Sequence, residues 1–481
     1  MAFPGGVITS DCRTGRWRLP VSDEARAAER QATFREVFSQ PEYRAVFVAS
    51  ALSWFGDYIA KAAVTVLVYE QTQSVAMSAA AFAVSYLPWL LGGPVLATIA
   101  ERYPYRTVMV SADLVRMVLV GAIALIEMPA PVVLVVIFLC TLANPPSQAS
   151  RSALLPLILA GDRLVVGLSV NLTTGQAAQV AGYLAGAAIA AVNPRLALAI
   201  DACTYALSAV IIRLGVRPRP SAMTPAHRSH LFRETADGFR IVFGTPVLRA
   251  IAVLVFAAML FAIVPEGLAA AWAATLGATE AERGVSQGLI MAASPAGFII
   301  GGLVTARLLR PDLRRALIRP FAVMAPLSLV PALLGPDAVG IAVMAAVCGF
   351  AVAGMMPAVN GLFVQALPHG FRARAFGVMQ SGTQVMQGAA VLVTGVLAEH
   401  NPISHVVGLW SLAGVVLILI ASTQWPSADR FNAMVAAAAR TQAGTAPPQE
   451  TIDEPARQNG AHQGDARDVV EQVRLPGKIE R

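Results

Sequence analysis

Asp57 and Lys61 interrupt an otherwise apolar run, "SWFGDYIAK" at residues 53–61, flanked by "RAVFVASAL" and "AAVTVLVYE". Four residues apart, their side chains lie one helical turn from each other on one face. A charge at the centre of a bilayer costs roughly 2.5–3.5 kcal/mol, so it persists where it is paired, faces a cavity or has a function. Two readings follow. The pair is a self-contained salt bridge, or Asp57 faces a central cavity and exchanges a proton. A third ionisable group, Glu266, stands in "FAIVPEGLAAAW" between Pro265 and Gly267, residues that loosen a helix locally. Asp113 and Arg116 in "SADLVRMVL" are three apart, again on one face. Asp201 has no evident partner and reads as a helix-interface or capping residue.

The elements that carry these groups are membrane spans. The chain is 56% hydrophobic and 14% charged, where soluble domains run to about a quarter charged. Runs of about 20 apolar residues fall near 44–69, 77–100, 106–127, 130–152, 164–191 and 195–214, and again near 246–275, 284–308, 316–335, 337–366, 373–398 and 402–424. They are numbered spans 1 to 12. With both termini inside, the five internal loops hold eighteen arginines, Arg151 among them, and the outer loops two, Arg195 and Arg283. That asymmetry is the positive-inside pattern, and shifting the count by one span destroys it. The division expected is a cytosolic lead-in over 1–43, six spans over 44–214, a basic cytosolic loop over 215–245, six spans over 246–424 and a polar, disordered cytosolic tail over 425–481.

Several function classes are excluded or disfavoured. The net charge of +7 is spread between apolar stretches, which reads as topology rather than nucleic-acid binding. Lys61 and Lys478 are the only lysines, and neither is followed by Ser or Thr, so no phosphate-binding P-loop is present. Cys12, Cys140, Cys203 and Cys348 are scattered, and six histidines form no paired-ligand pattern, so neither a disulfide framework nor a metal site is expected. No nucleophile–base pairing appears in the spans, which disfavours an intramembrane enzyme. Residues 1–40 lack the apolar core of a secretory signal.

The two halves echo each other. Pro41 and Arg44 match Pro246 and Arg249 at an offset of 205; Gly92, Gly93 and Arg106 match Gly301, Gly302 and Arg315 at 209; Pro145 and Pro156 match Pro357 and Pro368 at 212. Under these offsets Glu266 falls on the repeat-equivalent of Lys61 or of Asp57. Transporter folds are often built from such repeats. Twelve spans in two related halves, a basic central loop and the turn "GPVLATIAERYPYRTVMV" resemble the major facilitator superfamily. Gly93, Glu101, Arg102 and Arg106 fall on its loop signature, with Glu in place of Asp and Pro104 in place of the second Gly. "GDYIAKAAVTVLVYEQTQS", "AIDACTYALSAVI" and "ALPHGFRARAFGVMQSG" resemble its drug- and siderophore-exporter-like branch. In span 5, "GQAAQVAGYLAGAA" keeps Gly175, Gly182 and Gly186 of an exporter signature but lacks its proline.

The resemblance implies an all-α membrane fold of two pseudo-symmetric six-helix bundles, and a multi-pass secondary transporter of the cytoplasmic membrane. It implies proton-coupled efflux of a small amphipathic compound by alternating access; a proton-coupled importer and a non-transporting receptor or sensor are the alternatives. Spans 1, 4, 7 and 10 then line the cavity, with Asp57, Lys61 and Glu266 as coupling groups. Lys61 is expected to swap between Asp57 and Glu266, and Gly93, Glu101, Arg102, Arg106, Asp113 and Arg116 to form an inner-gate charge network. Trp54, Tyr58, Asn144, Gln148, Met356, Asn360 and Gln384 are candidates to line the substrate cavity. No cofactor beyond the proton gradient and no partner beyond substrate and lipid bilayer is expected, and the chain is expected to be a monomer.

Overall fold

The computed structural model describes residues 33–89, 102–219, 231–367, 372–426 and 431. Every regular element among them is helical. Each expected range holds helix: Pro41–Thr72, Val75–Trp89, Tyr105–Leu125, Ala130–Ile158, Asp162–Ala190 and Pro194–Gly215 in the first half. The second half has Pro246–Leu276, Glu280–Leu308, Ile318–Leu334, Ala338–Ala366, Arg372–Ala398 and Ile403–Thr423. Among the described residues, eight of these are long and apolar enough to cross a membrane on length and composition alone. Spans 2 and 9 are shorter, and spans 5 and 11 are diluted by polar residues such as Gln176, Gln179, Gln384 and Gln387.

The helix starts are written in the sequence. Pro41, Pro194 and Pro246 occupy first turns, where a missing N–H is no loss. Spans 2, 6, 8 and 10 begin behind side-chain caps from Ser74, Asn193, Thr279 and Asp337, and Thr279 forms a capping box with Glu282. Several spans are broken, spans 4 and 7 at positions that matter for the site. Span 4 changes segment at Leu142–Ala143 ahead of Pro145 and Pro146, and span 7 at Ile263 ahead of Pro265. Proline removes a helical hydrogen bond and clashes one turn back, which accounts for both breaks. The second break puts Glu266 in the first turn of a new segment, Val264–Leu276.

The ends of the spans define two faces. The connections at 72–75, 190–194, 276–280 and 398–403 lie on the face opposite the one from which spans 1 and 7 start, here called the far face. The first half packs around Val64, Val120, Val133, Ile137, Leu198 and Tyr205. The larger core of the second half recruits Ala62, Ala79, Phe82, Ala83, Tyr86 and Tyr183 from the first, so the two halves share one seam. Among the described residues, every hydrogen bond crossing that seam lies in its middle or towards the far face. Gln287 donates to the Ala62 carbonyl at 3.0 Å, Tyr183 donates to Glu266 at 3.2 Å, and the Ala76 N–H donates to Glu399 at 2.8 Å. Outside, Val118, Leu172, Val343, Leu419 and Ile420 are exposed, an apolar surface suited to lipid.

Some boundaries differ from expectation. Span 4 runs on to Ile158 rather than 152, which takes Arg151 out of the inner loop and into a helix. Part of the central basic stretch is helix, Leu231–Gly244, whose Gly238 abuts the Arg374 carbonyl of span 11. The sequence places the tail from 425, yet Trp425 and Phe431 pack against the second half's core. Gly93 and Glu101 lie outside the described residues, as do most of the lead-in and of the tail.

Candidate functional site

Span 1 passes through the middle of the molecule and presents Trp54, Asp57, Tyr58 and Lys61 to a cavity of about 260 Å³. Span 5 seats against it because two glycines allow the backbones to meet. A Cβ on Gly182 would fall 2.8 Å from the Phe55 carbonyl oxygen, and one on Gly186 would fall 2.7 Å from Ile59 Cα. Spans 4 and 6 each add a polar stripe. Asn144, Ser147, Gln148 and Arg151 follow the spacing i, i+3, i+4, i+7, and so do Asp201, Thr204, Tyr205 and Ser208. That spacing keeps four residues on one face of an α-helix.

The centre of the first half is a charge cluster around Arg116. Its guanidinium donates to Asp113 at 2.5 Å and to Asn144 at 2.8 Å, stands 3.7 Å from Asp57, and stacks 4.5 Å over the Tyr205 ring. Asp113 also accepts from Ser208 at 2.6 Å, and Asp57 accepts from the Tyr205 hydroxyl. Asp201, fully buried, accepts from Thr204 at 3.2 Å through one oxygen, while its other oxygen has no hydrogen-bond partner. Two carboxylates, Asp57 and Asp113, therefore share one guanidinium, and Asp201 stands on the same cavity wall. Asp113 and Arg116 were expected at the inner gate with Arg106; they instead reach Asp57, Ser208 and Asn144. Seven and ten residues of helix place them roughly 10–15 Å further in. Arg106 bonds to the Val216 carbonyl at 3.1 Å, and Arg102 is exposed.

Beyond Lys61 lies a second chamber of about 280 Å³, lined by Glu266, Tyr183, Gln176, Gln179, Ser294 and Gln387. Tyr58, Lys61, Tyr86 and Gln384 belong to the walls of both chambers. Glu266, 4% exposed, takes its hydrogen bond from Tyr183, whose ring meets Tyr58 edge-on at 5.1 Å. Lys61 pairs with neither carboxylate. Its ammonium lies 4.7 Å from the Tyr86 ring centre, 5.2 Å from Phe82 and 5.9 Å from Tyr58, with no carboxylate oxygen within 4 Å among the described residues. Arg116 already engages Asp57, and three aromatic faces offer the cation an alternative to a carboxylate.

Of the candidate cavity residues, Trp54, Tyr58, Asn144, Gln148 and Gln384 line the chambers. Met356 packs on the second half's core and Asn360 is exposed, both below the stretch of span 10, Gly349 to Val352, that reaches the second chamber. Sequence reasoning missed Tyr205, placed Arg151 in an inner loop and read Asp201 as a helix-interface or capping residue rather than as part of the cavity wall. The stripes of spans 4 and 6 were the available signal.

The same architecture occurs in known transporters. A mutant form of the nucleoside transporter NupG superimposes at a TM-score of 0.66 with 15% identity, over 80% of this chain and 100% of that one. A POT family transporter in complex with 5-aminolevulinic acid superimposes at 0.65 with 11% identity, over 82% and 97%. In sequence, Macrolide efflux protein A of Streptococcus pyogenes and its serotype M6 counterpart are 20% identical over 210 residues. That stretch is 42% of this chain and 51% of the relative, so the match spans about half the length of these curated proteins. The family model described as Major Facilitator Superfamily matches residues 46–391, from span 1 into span 11. A match that runs through both halves, on helices that carry the fold of solved transporters, identifies the chain as a member of the Major Facilitator Superfamily.

Proposed function

We propose that the protein exports a small amphipathic compound across the cell membrane in exchange for protons, with both termini in the cytoplasm. One half rocks against the other around the cavity at span 1, in the alternating-access manner of transporters built from repeats. The observation that carries the coupling is that Asp57 shares Arg116 with Asp113 and faces the cavity. Burying two carboxylates against one counter-charge is costly, so Asp57 is the group to which the transported proton is assigned. Asp57, with 27% of its side chain exposed, is the member that meets the cavity. Similarity to macrolide efflux proteins supports the export direction, and the arginine asymmetry supports the placing of the termini. The seam closed towards the far face then corresponds to a state closed to the outside.

The test uses energised cells loaded with ethidium, Nile red or carboxyfluorescein, one dye of each charge class. Expected is outward movement of at least one dye, abolished by the protonophore CCCP and reduced at least tenfold in Asp57→Asn at equal membrane abundance. Inward accumulation would establish import instead. Dye movement indifferent to CCCP and to the substitution would sink the coupling.

A further inference from the structure

Arg151 has no counter-ion. It is 6% exposed, its Nε is buried without a hydrogen-bond partner, and no carboxylate oxygen lies within 4 Å of it among the described residues. Its guanidinium stacks 5.0 Å over Trp54, and both side chains line the 260 Å³ cavity. The other cation on that wall without a carboxylate partner is Lys61, seven residues beyond Trp54 along span 1. The negative groups are disposed differently. Asp113 is 1% exposed, Asp201 lines the cavity but is 0% exposed and bonded to Thr204, and Asp57 is already engaged by Tyr205 and Arg116. Of the groups on this wall without a partner of opposite charge, Arg151 and Lys61 have surface to offer a compound, beside an aromatic face, whereas Asp201 has none.

A desolvated guanidinium without a partner is costly to keep and binds an oxyanion strongly, because its fork of donors matches the two oxygens of a carboxylate. Trp54 holds the guanidinium against its ring, and the same cavity has apolar wall, Val120 and Ile137, for the rest of a molecule. We infer that the transported compound is an organic anion, held by its oxyanion at Arg151 with its apolar body along Trp54. This rests on the export reading above and names the substrate class of the same cavity. The site is built on an arginine that the sequence alone assigns to a loop, and it selects against the cationic amphipaths that an acidic cavity would take.

Binding tests this separately from transport. The full chain, purified into lipid nanodiscs, is titrated with 1-naphthoate, its neutral amide 1-naphthamide, and 1-naphthylmethylammonium, with tryptophan quenching as the readout. The bicyclic body suits a cavity at the small end for ligand sites. Expected is saturable naphthoate binding at least tenfold tighter than that of the amide, with the ammonium weakest. Arg151→Gln should cut the carboxylate preference below threefold, Arg151→Lys should keep part of it, and Trp54→Phe should remove most of the quenching. Equal or tighter binding of amide or ammonium, an unchanged preference in a monodisperse Arg151→Gln protein, or no saturable binding of any probe overturns the inference. Proton-driven dye movement with no carboxylate preference would fell this inference alone, whereas carboxylate binding without proton-driven movement would fell the export reading instead.

Discussion

At the scale of residues, Arg116 holds the first half's polar centre together. Its guanidinium bonds Asp113 and Asn144 and approaches Asp57 in a region without bulk water. Removing one partner from such a cluster leaves uncompensated charge, at a cost of about 3–5 kcal/mol. Arg116→Gln is therefore expected to lower the thermal midpoint of the purified protein sharply. The double change Arg116→Gln with Asp113→Asn should recover part of that loss by removing one orphaned carboxylate. A single substitution that leaves the midpoint unchanged would show that the cluster does not hold spans 1, 3 and 6 together. Which charge met which was the least legible part of the sequence. These helices are apolar nearly all round, so their rotation about their own axes is weakly marked by periodicity. For Asp57 and Lys61 at i, i+4 the sequence leaves both a self-contained pair and a cavity-facing Asp57 open, and only the fold shows that Tyr205, 148 residues away in sequence, reaches Asp57.

At the scale of elements, span ends were legible because proline and capping residues mark them, whereas span 4 was not. A length of about 20 residues is the expectation for a span, but this helix bends ahead of Pro145 and continues to Ile158, carrying Arg151 into the interior. A second cross-half device also lies at an element end. Glu399, just past span 11, accepts from Ser74 and from the Ala76 N–H, and so joins the cap of span 2 from the opposite half. The Ala76 N–H, with smaller help from Ser74, holds this carboxyl below the ordinary carboxylate range. The latch is then fully formed above the free carboxyl's pKa of about 4.3 and weakens as pH falls through the lower, latched value. Spin labels at Val192→Cys and Val339→Cys, with the four native cysteines replaced, should report a far-face separation independent of pH from 5 to 8. The distance should lengthen in Glu399→Ala at every pH in that range. A pH dependence near neutrality that Glu399→Ala abolishes would place a proton sensor at this latch rather than in the buried cluster.

At the scale of the whole molecule, twelve-fold hydropathy and the paired motifs made the two-half architecture readable before any coordinates, since lipid imposes both span length and loop charge. The chambers were not readable, because they arise where the halves meet. Their two unpartnered cations, Arg151 and Lys61, also bear on electrical work. Sending a monovalent anion out while one proton comes in carries two positive charges inward per turnover. Each charge is worth about 2.3 kcal/mol per 100 mV, so a resting membrane voltage alone contributes about 4.6 kcal/mol at 100 mV. Proteoliposomes with equal pH on both sides and a valinomycin-set potassium potential should therefore drive 1-naphthoate across the bilayer, and reversing the potential should reverse the flux. A flux indifferent to that potential would exclude this stoichiometry. A cell that had lost its pH gradient but kept its voltage would still be able to clear such a compound.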